Sequence, residues 1–280
     1  MSSLNLRMKI QLIIVFTITV FSSHSQTVLK LWETPAVLDI PESVLFDDSI
    51  IYVSNINGKP TEKNEMGYLS KLSVDGEIIN QKWIIGLNAP KGMAVFENLL
   101  YVTDIDRIAV IDRVDGKILN FIPIENAKFL NDATVNEKGL VAFSDLQDNT
   151  IYLVENNIVS ILVKNEILQN VNGLWWGNDA LYAGTINAVV KIDVNTGEII
   201  KYIEGTGGID GIEKVAGNSF IISDWSGKVQ LISPQENPIV LFDTTKDKIN
   251  AADIEYSTKN NILYVPTFYA KSVVAYKVQF

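Results

Sequence analysis

"VNGLWWGNDALYAGTI", residues 171–186, sets two apolar runs, Leu174-Trp175-Trp176 and Ala180 to Ala183, around a polar turn at Gly177-Asn178-Asp179. Runs this short, flanked by turn residues, read as β-strands rather than helix. The stretch opens on Asn172, whose amide is poorly suited to an apolar interior. Its meaning depends on recurrence, and five other stretches share the frame. They are "PESVLFDDSIIYVSNI" from Pro41, "PKGMAVFENLLYVTDI" from Pro90, "LNDATVNEKGLVAFSDL" from Leu130, "IDGIEKVAGNSFIISDW" from Ile209 and "AADIEYSTKNNILYVPTF" from Ala251. Each continues into a third strand, such as "RIAVID", "TIYLVE", "AVVKID", "KVQLIS" or "SVVAYKV".

The second residue of each frame serves as an anchor: Glu42, Lys91, Asn131, Asn172, Asp210 and Ala252, at intervals of 49, 40, 41, 38 and 42 residues. Repeats of ~40–45 residues built from three or four strands are the signature of propeller blades. The expected fold is therefore all-β, a six-bladed β-propeller. The lone strand "TVLKLWE", Thr27 to Glu33, is expected to close the ring by supplying the outer edge of the last blade, whose own strands end at Phe280. A solenoid is the alternative arrangement, and it leaves that strand without a role.

Residues 1–25 read differently. Arg7 and Lys9 precede the apolar run Leu12 to Phe21 and the small-x-small site Ser23-His24-Ser25, the order of a secretory signal peptide. An uncleaved membrane anchor is the competing reading, and the run is short for a span. Cleavage leaves a propeller domain of residues 26–280 and a secreted or periplasmic protein with no membrane attachment. It also removes His24, the only histidine, from a chain without cysteine. Imidazole and thiolate chemistry are then excluded: Ser-His-Asp triads, cysteine nucleophiles, and zinc or iron held by His or Cys. Oxygen donors remain, and these suit hard cations.

Loss of Arg7 and Lys9, from a segment without acids, takes the formal charge from −10 to −12. No clustered Lys and Arg offer a nucleic-acid or anionic-membrane surface. The glycines form no phosphate-cradling loop leading into a helix. A small-molecule substrate and a monomeric state are expected.

In a propeller the first strand of each blade lines the channel, so the anchors converge at one end of it. Glu42, Asn131, Asn172 and Asp210 would bring two carboxylates and two amide oxygens together, a calcium-type donor set. Asn-Gly and Asp-Gly are also common turn dipeptides. What favours the site is that four oxygen-bearing residues share one register in four repeats. Lys91, a cation at an anchor, is expected to bind an anionic substrate group or to neutralise a carboxylate.

Pro41-Glu42-Ser43, Asn131-Asp132, Asn172-Gly173-Leu174 and Ile209-Asp210-Gly211-Ile212 resemble motifs of the senescence marker protein (regucalcin)/gluconolactonase family of six-bladed propellers. The resemblance spans about residues 35–280 and extends more distantly to the paraoxonases. It implies Glu42, Asn172 and Asp210 as metal ligands, with Asn131 beside the metal or contacting substrate. It further implies a divalent-metal-dependent lactonase, with calcium foremost and magnesium or zinc as alternatives. Asp210 is implied both as ligand and as general base. Phe129 stands where sugar lactonases of the family have arginine, and the mature chain lacks the histidines that paraoxonase-like enzymes use. The opposing expectation is a non-catalytic exported propeller that binds or scaffolds. A partner-recognising repeat protein of the NHL type is a third reading, to which the acidic charge is poorly suited.

Three further acids, Asp104, Asp145 and Asp224, end the second strands in "VTD", "FSD" and "ISD". Such repetition points to turn capping by acceptance of backbone N–H bonds rather than to chemistry. Trp175 and Trp176 are adjacent on one strand and must point to opposite faces, so at least one packs between blades. Trp225 is a candidate for lining a ligand pocket.

Overall fold

A computed structural model describes residues 26–178 and 180–280. The expected signal segment, residues 1–25, lies outside them. Six four-stranded antiparallel sheets succeed one another along the described residues, five of them running from an inner strand outward in sequence order and the sixth taking its outermost strand from the start. The inner strands are Pro41–Asp47, Pro90–Phe96, Leu130–Val135, Leu174–Trp176, Ile212–Lys214 and Glu255–Ser257. Each touches the next, and the sixth returns to the first. Ser43 and Asp253 form a parallel bridge across that last seam. This is a six-bladed β-propeller.

The ring is closed as the lone first strand suggests. Thr27–Glu33 pairs antiparallel with Val273–Gln279, from Thr27 opposite Gln279 to Glu33 opposite Val274. It is thus the outermost strand of the sixth blade. Trp32 also ties it to the first blade, donating from Nε1 to Val74 O at 3.0 Å. A closed ring leaves no long inner edge free to pair with another chain.

Packing explains the sequence period. The core is divided into wedges between neighbouring blades, and each cluster draws on two of them. Met93, Leu100 and Val102 of the second blade meet Tyr52 and Leu69 of the first. Leu174 and Leu181 of the fourth meet Ala142 and Ile151 of the third. Val44 and Ile51 of the first meet Tyr264 and Ala275 of the sixth. A blade therefore needs apolar side chains on both faces, which is why its middle strands read as nearly continuous apolar runs. Trp175 packs against Tyr182 and Phe220 on one face, while Trp176 joins the cluster on the other, so both tryptophans are packing residues.

The anchors sit where pairing is irregular. The register between the first two strands shifts between Pro41 and Ser43, between Pro90 and Met93, and between Leu130 and Ala133. An extra residue at a bulge bends the strand and re-aims a side chain. In the later blades the anchors lie just before the inner strand rather than within it, because that strand is only three residues long. Backbone bonds still hold them: Asn172 N donates to Gly184 O, Asp210 N to Ser223 O and Ala252 N to Pro266 O.

Candidate functional site

Hydroxyl groups on the second strands fix the anchor segments. Ser54 Oγ accepts from Ser43 N, Ser144 Oγ from Asp132 N, and Ser223 Oγ from Gly211 N. Ser223 Oγ then donates to Ala252 O of the next blade, and Thr103 Oγ1 donates to Asn131 O in the same way. The aspartates that follow Thr103, Ser144 and Ser223 do a related job. Asp104 accepts from Asn88 N and Ala89 N, both at 2.8 Å, and Asp145 accepts from Lys128 N and Phe129 N. Both aspartates cap the loop that enters their own blade. Asp224 caps its own turn through Ser226 and also borders the cleft described next.

That cleft, of about 330 Å³, opens at one end of the channel. Five of the six anchors line it: Glu42, Lys91, Asn131, Asn172 and Asp210. All five are buried. The sixth, Ala252, instead joins an apolar cluster with Ile56, Ala89, Ile105 and Phe268.

The polar floor is short of partners. Asn172 Nδ2 donates to Asp210 Oδ1 at 2.8 Å. Asn172 Oδ1 and Glu42 Oε2 are buried and accept no hydrogen bond. Such orphans are costly in a protein interior, so an arrangement that keeps two of them beside a carboxylate suits a cation or a bound water. The charges are strained in the same sense. Burial, then the nearness of Asp210, drives the Glu42 carboxyl well above its usual range, against the pull of Lys91. Burial pushes Asp210 up to about 7, opposed by the Asn172 amide and reinforced by Asp132 and Asp224.

Lys91 Nζ donates to Ala89 O at 2.9 Å and Pro60 O at 3.2 Å, and lies 4.4 Å from the centre of the Phe129 ring. Burial lowers its pKa to about 8, while Glu42 and Asp104 pull it back up. Phe129 therefore walls the cleft and covers this ammonium.

A tight carboxyl layer one residue further along the inner strands was not singled out by sequence. Asp132 accepts from Ala133 N and Leu174 N, the latter in the next blade. Asp253 accepts from Ser43 Oγ at 2.6 Å across the closing seam. Burial lifts the pKa of both. Glu213 and Glu255 follow on the same strands and, with Asp132 and Asp253, border a second cavity of about 300 Å³. The missed signal is the strand period: residues next to an anchor point away from the cleft and meet each other. Also missed were Phe268 and Tyr269, which stand with Trp225 at the cleft wall.

As a donor set, Glu42, Asn172 and Asp210 fit a hard cation through oxygen alone. Among the described residues, no three His, Cys, Asp or Glu side chains converge in a metal-holding arrangement. The set here has two carboxylates and so depends on the free amide oxygen of Asn172.

No protein-family model matches the chain, and no curated protein matches it. Solved structures do. A virginiamycin B lyase from Staphylococcus aureus with quinupristin is 16% identical at a TM-score of 0.63, over 90% of this chain and 99% of that one. A streptogramin B lyase is 15% identical at 0.66, over 91% and 98%. A chain of a nidogen/laminin complex is 16% identical at 0.59, over 75% and 90%. At these identities the likeness is one of fold.

Proposed function

We propose that this propeller is a divalent-cation-dependent hydrolase of lactones or related esters, similar to the regucalcin/gluconolactonase family. The observation that carries the reading is the pair of orphaned, buried acceptors, Glu42 Oε2 and Asn172 Oδ1, on the cleft that Asp210 also lines. Glu42, Asn172 and Asp210 would hold the cation, with calcium the best match to an all-oxygen set and magnesium or zinc as alternatives. The cation supplies polarisation of the substrate carbonyl and relief of the charge that develops on its oxygen.

The chain's own groups do the rest. Asn172 engages Asp210 Oδ1, which leaves Oδ2 to take the proton of an attacking water. As the water oxygen bonds to the carbonyl carbon and the ester C–O bond breaks, Asp210 Oδ2 returns the proton to the leaving alkoxide. Asn131 positions the substrate from the third blade. Lys91, held by two carbonyls, places a positive charge near the carboxylate product. In this reading residues 1–25 export the chain, and the mature protein acts as a monomer outside the cytoplasm.

Lys91 also supports a second reading, a non-catalytic exported binding or scaffold propeller. Its ammonium acts against the rise in the Glu42 pKa and so balances charge with no cation present. Calorimetric titration of calcium into protein stripped of divalent ions decides between them, together with a lactone and ester panel. The hydrolase reading expects about one bound ion, lost in Glu42→Ala and Asp210→Ala, and turnover that stops when the ion is removed. Turnover that survives stripping sinks it; binding without turnover of any panel member selects the scaffold.

A further inference from the structure

Above its polar floor, the cleft is apolar and aromatic. Trp225 meets Phe268 and Tyr269 edge-on, with ring centres 5.5 and 6.0 Å apart, and Phe268 meets Tyr269 at 4.8 Å. Phe129 stands on the third blade, and Ile186 comes from the fourth. Trp225, Tyr269 and Ile186 are 45%, 60% and 46% exposed, an unusual amount of apolar surface to gather around one concavity.

The aromatic ledge is braced. Phe268 has φ of 50°, in the left-handed region that β-carbon crowding disfavours. The turn is held by Thr267 Oγ1, which donates to Ser272 O and accepts from Ser272 N. Ser272 Oγ in turn donates to Glu33 of the ring-closing strand. These bonds hold the turn, and the mutual contacts of the three rings limit what their side chains lose when a ligand stacks on them.

The free polar groups of the cleft gather at its floor, at Glu42, Asn131, Asn172 and Asp210, where the reacting group is placed. Lys91 is engaged by two carbonyls and covered by Phe129. Thr185 Oγ1 donates to Ala188 O. Against the wall of Phe129, Ile186 and Phe268, the hydroxyl groups of a sugar-like substrate would lose water without regaining hydrogen bonds. At ~30 Å³ for a water-sized group, the cleft accommodates on the order of ten non-hydrogen atoms.

We infer that the cleft selects a lactone or ester carrying an aromatic or short branched-alkyl substituent, stacked against Trp225 and Tyr269, over a polyhydroxylated one. The inference rests on the hydrolase reading for the reacting group and on the aromatic wall for the substituent. The two are separable by experiment.

Binding is measured with lactams, the unreactive counterparts of lactones, by calorimetry on the intact protein with calcium present. The probes are 3,4-dihydroquinolin-2-one and gluconolactam. The expected result is a preference for the aryl lactam of roughly tenfold or more, reduced about tenfold by Tyr269→Ala and by Trp225→Ala. Tyr269 is the more exposed of the two, and its variant keeps the test valid if Trp225→Ala is poorly folded. Equal or tighter binding of gluconolactam, or no loss in Tyr269→Ala, overturns the inference. Hydrolysis of dihydrocoumarin and gluconolactone is followed in parallel. An aryl preference in binding without turnover of either leaves the wall as assigned and removes the hydrolase reading. Turnover that favours gluconolactone does the reverse.

Discussion

Raising the pH from about 5 to about 8 in the absence of divalent ions is expected to destabilise this protein, and calcium is expected to reverse much of the loss. Burial lifts Asp132 and Asp210 from 3.8 to about 7. A carboxyl with a raised folded pKa keeps its proton in the native state after the unfolded chain has released it. Its stabilising effect is full below about pH 4, declines from there to about pH 7 and is flat above. A displacement of about three pH units corresponds to on the order of 4 kcal/mol for one such group. Burial is the first cause of both shifts, and repulsion by Asp132 is a smaller part of the Asp210 shift, so the two do not add in full. About two of the three units are lost between pH 5 and pH 8, so the expected fall is at least on the order of 3 kcal/mol, or ~10 °C in Tm for a chain of this size, and the raised carboxyls of Glu42, Glu213, Asp253 and Glu255 act in the same direction. Asp148, held near 2 by Lys128 and Lys164, acts only at lower pH and leaves this window unaffected. Calcium at about a hundredfold excess over its Kd returns ~2.7 kcal/mol at the alkaline end. It returns much less at the acidic end, where protons compete for the same oxygens. Urea unfolding followed by tryptophan fluorescence measures both effects, and Asp210→Asn, which retains an acceptor for Asn172, should lower the pH slope and abolish the calcium response. Stability that is flat or rising across this window, or a calcium increment independent of pH, would refute the reasoning.

Asp145→Ala removes the acceptor for Lys128 N and Phe129 N and should cost ~2–4 kcal/mol in urea unfolding, while the folded variant still binds about one calcium ion. Deleting residues 26–33 strips the partner from Val273–Gln279 and exposes its edge; size-exclusion chromatography should show oligomers or aggregate in place of a monomer. A soluble monomer of unchanged stability would mean that this strand does not close the ring.

The architecture was legible because each blade repeats one physical problem: two apolar faces to bury, two turns to make and an edge to hand on. Intervals of 38 to 49 residues between anchors carry that problem openly, and the strand "TVLKLWE" has a use only in a ring. Capping by Asp104 and Asp145 was legible for the same reason, since a group that recurs at a strand end meets a recurring backbone need. The contents of the cleft were legible in part. Register brings Glu42, Lys91, Asn131, Asn172 and Asp210 to one place, but a sequence gives no sign of which oxygens end without a partner. Nor does it show that Lys91 is held by Pro60, a loop residue 31 positions away. The aromatic wall was hidden because Phe268 and Tyr269 lie in a loop, outside the strand pattern through which the repeat was recognised.

The residue after each anchor shows why neighbouring positions have different roles. In order these are Ser43, Gly92, Asp132, Gly173, Gly211 and Asp253. Around the ring they crowd each other. A Cβ on Gly92 would lie 2.5 Å from the Asp132 Cα, and one on Gly211 would lie 2.8 Å from Asp253 Oδ1. Gly173 is as crowded, with the place of its Cβ 2.5 Å from Asp210 O, so all three glycines let the inner strands of neighbouring blades approach backbone to backbone. The glycine of Asp210-Gly211, which as a dipeptide suggests a turn, instead makes room for the next inner strand, with Ile254 N 2.5 Å and Asp253 Oδ1 2.8 Å from the place of its Cβ. On the opposite side, Asp132 and Asp253 accept bonds across the following seams, from Leu174 N and from Ser43 Oγ. Their oxygens are engaged in holding blades together, whereas one position earlier the side chains enter the cleft and Glu42 Oε2 and Asn172 Oδ1 are left unpaired. Alternation along a strand thus separates an engaged acidic layer from an available one. The available layer is where a ligand would recover the cost of the unpaired oxygens.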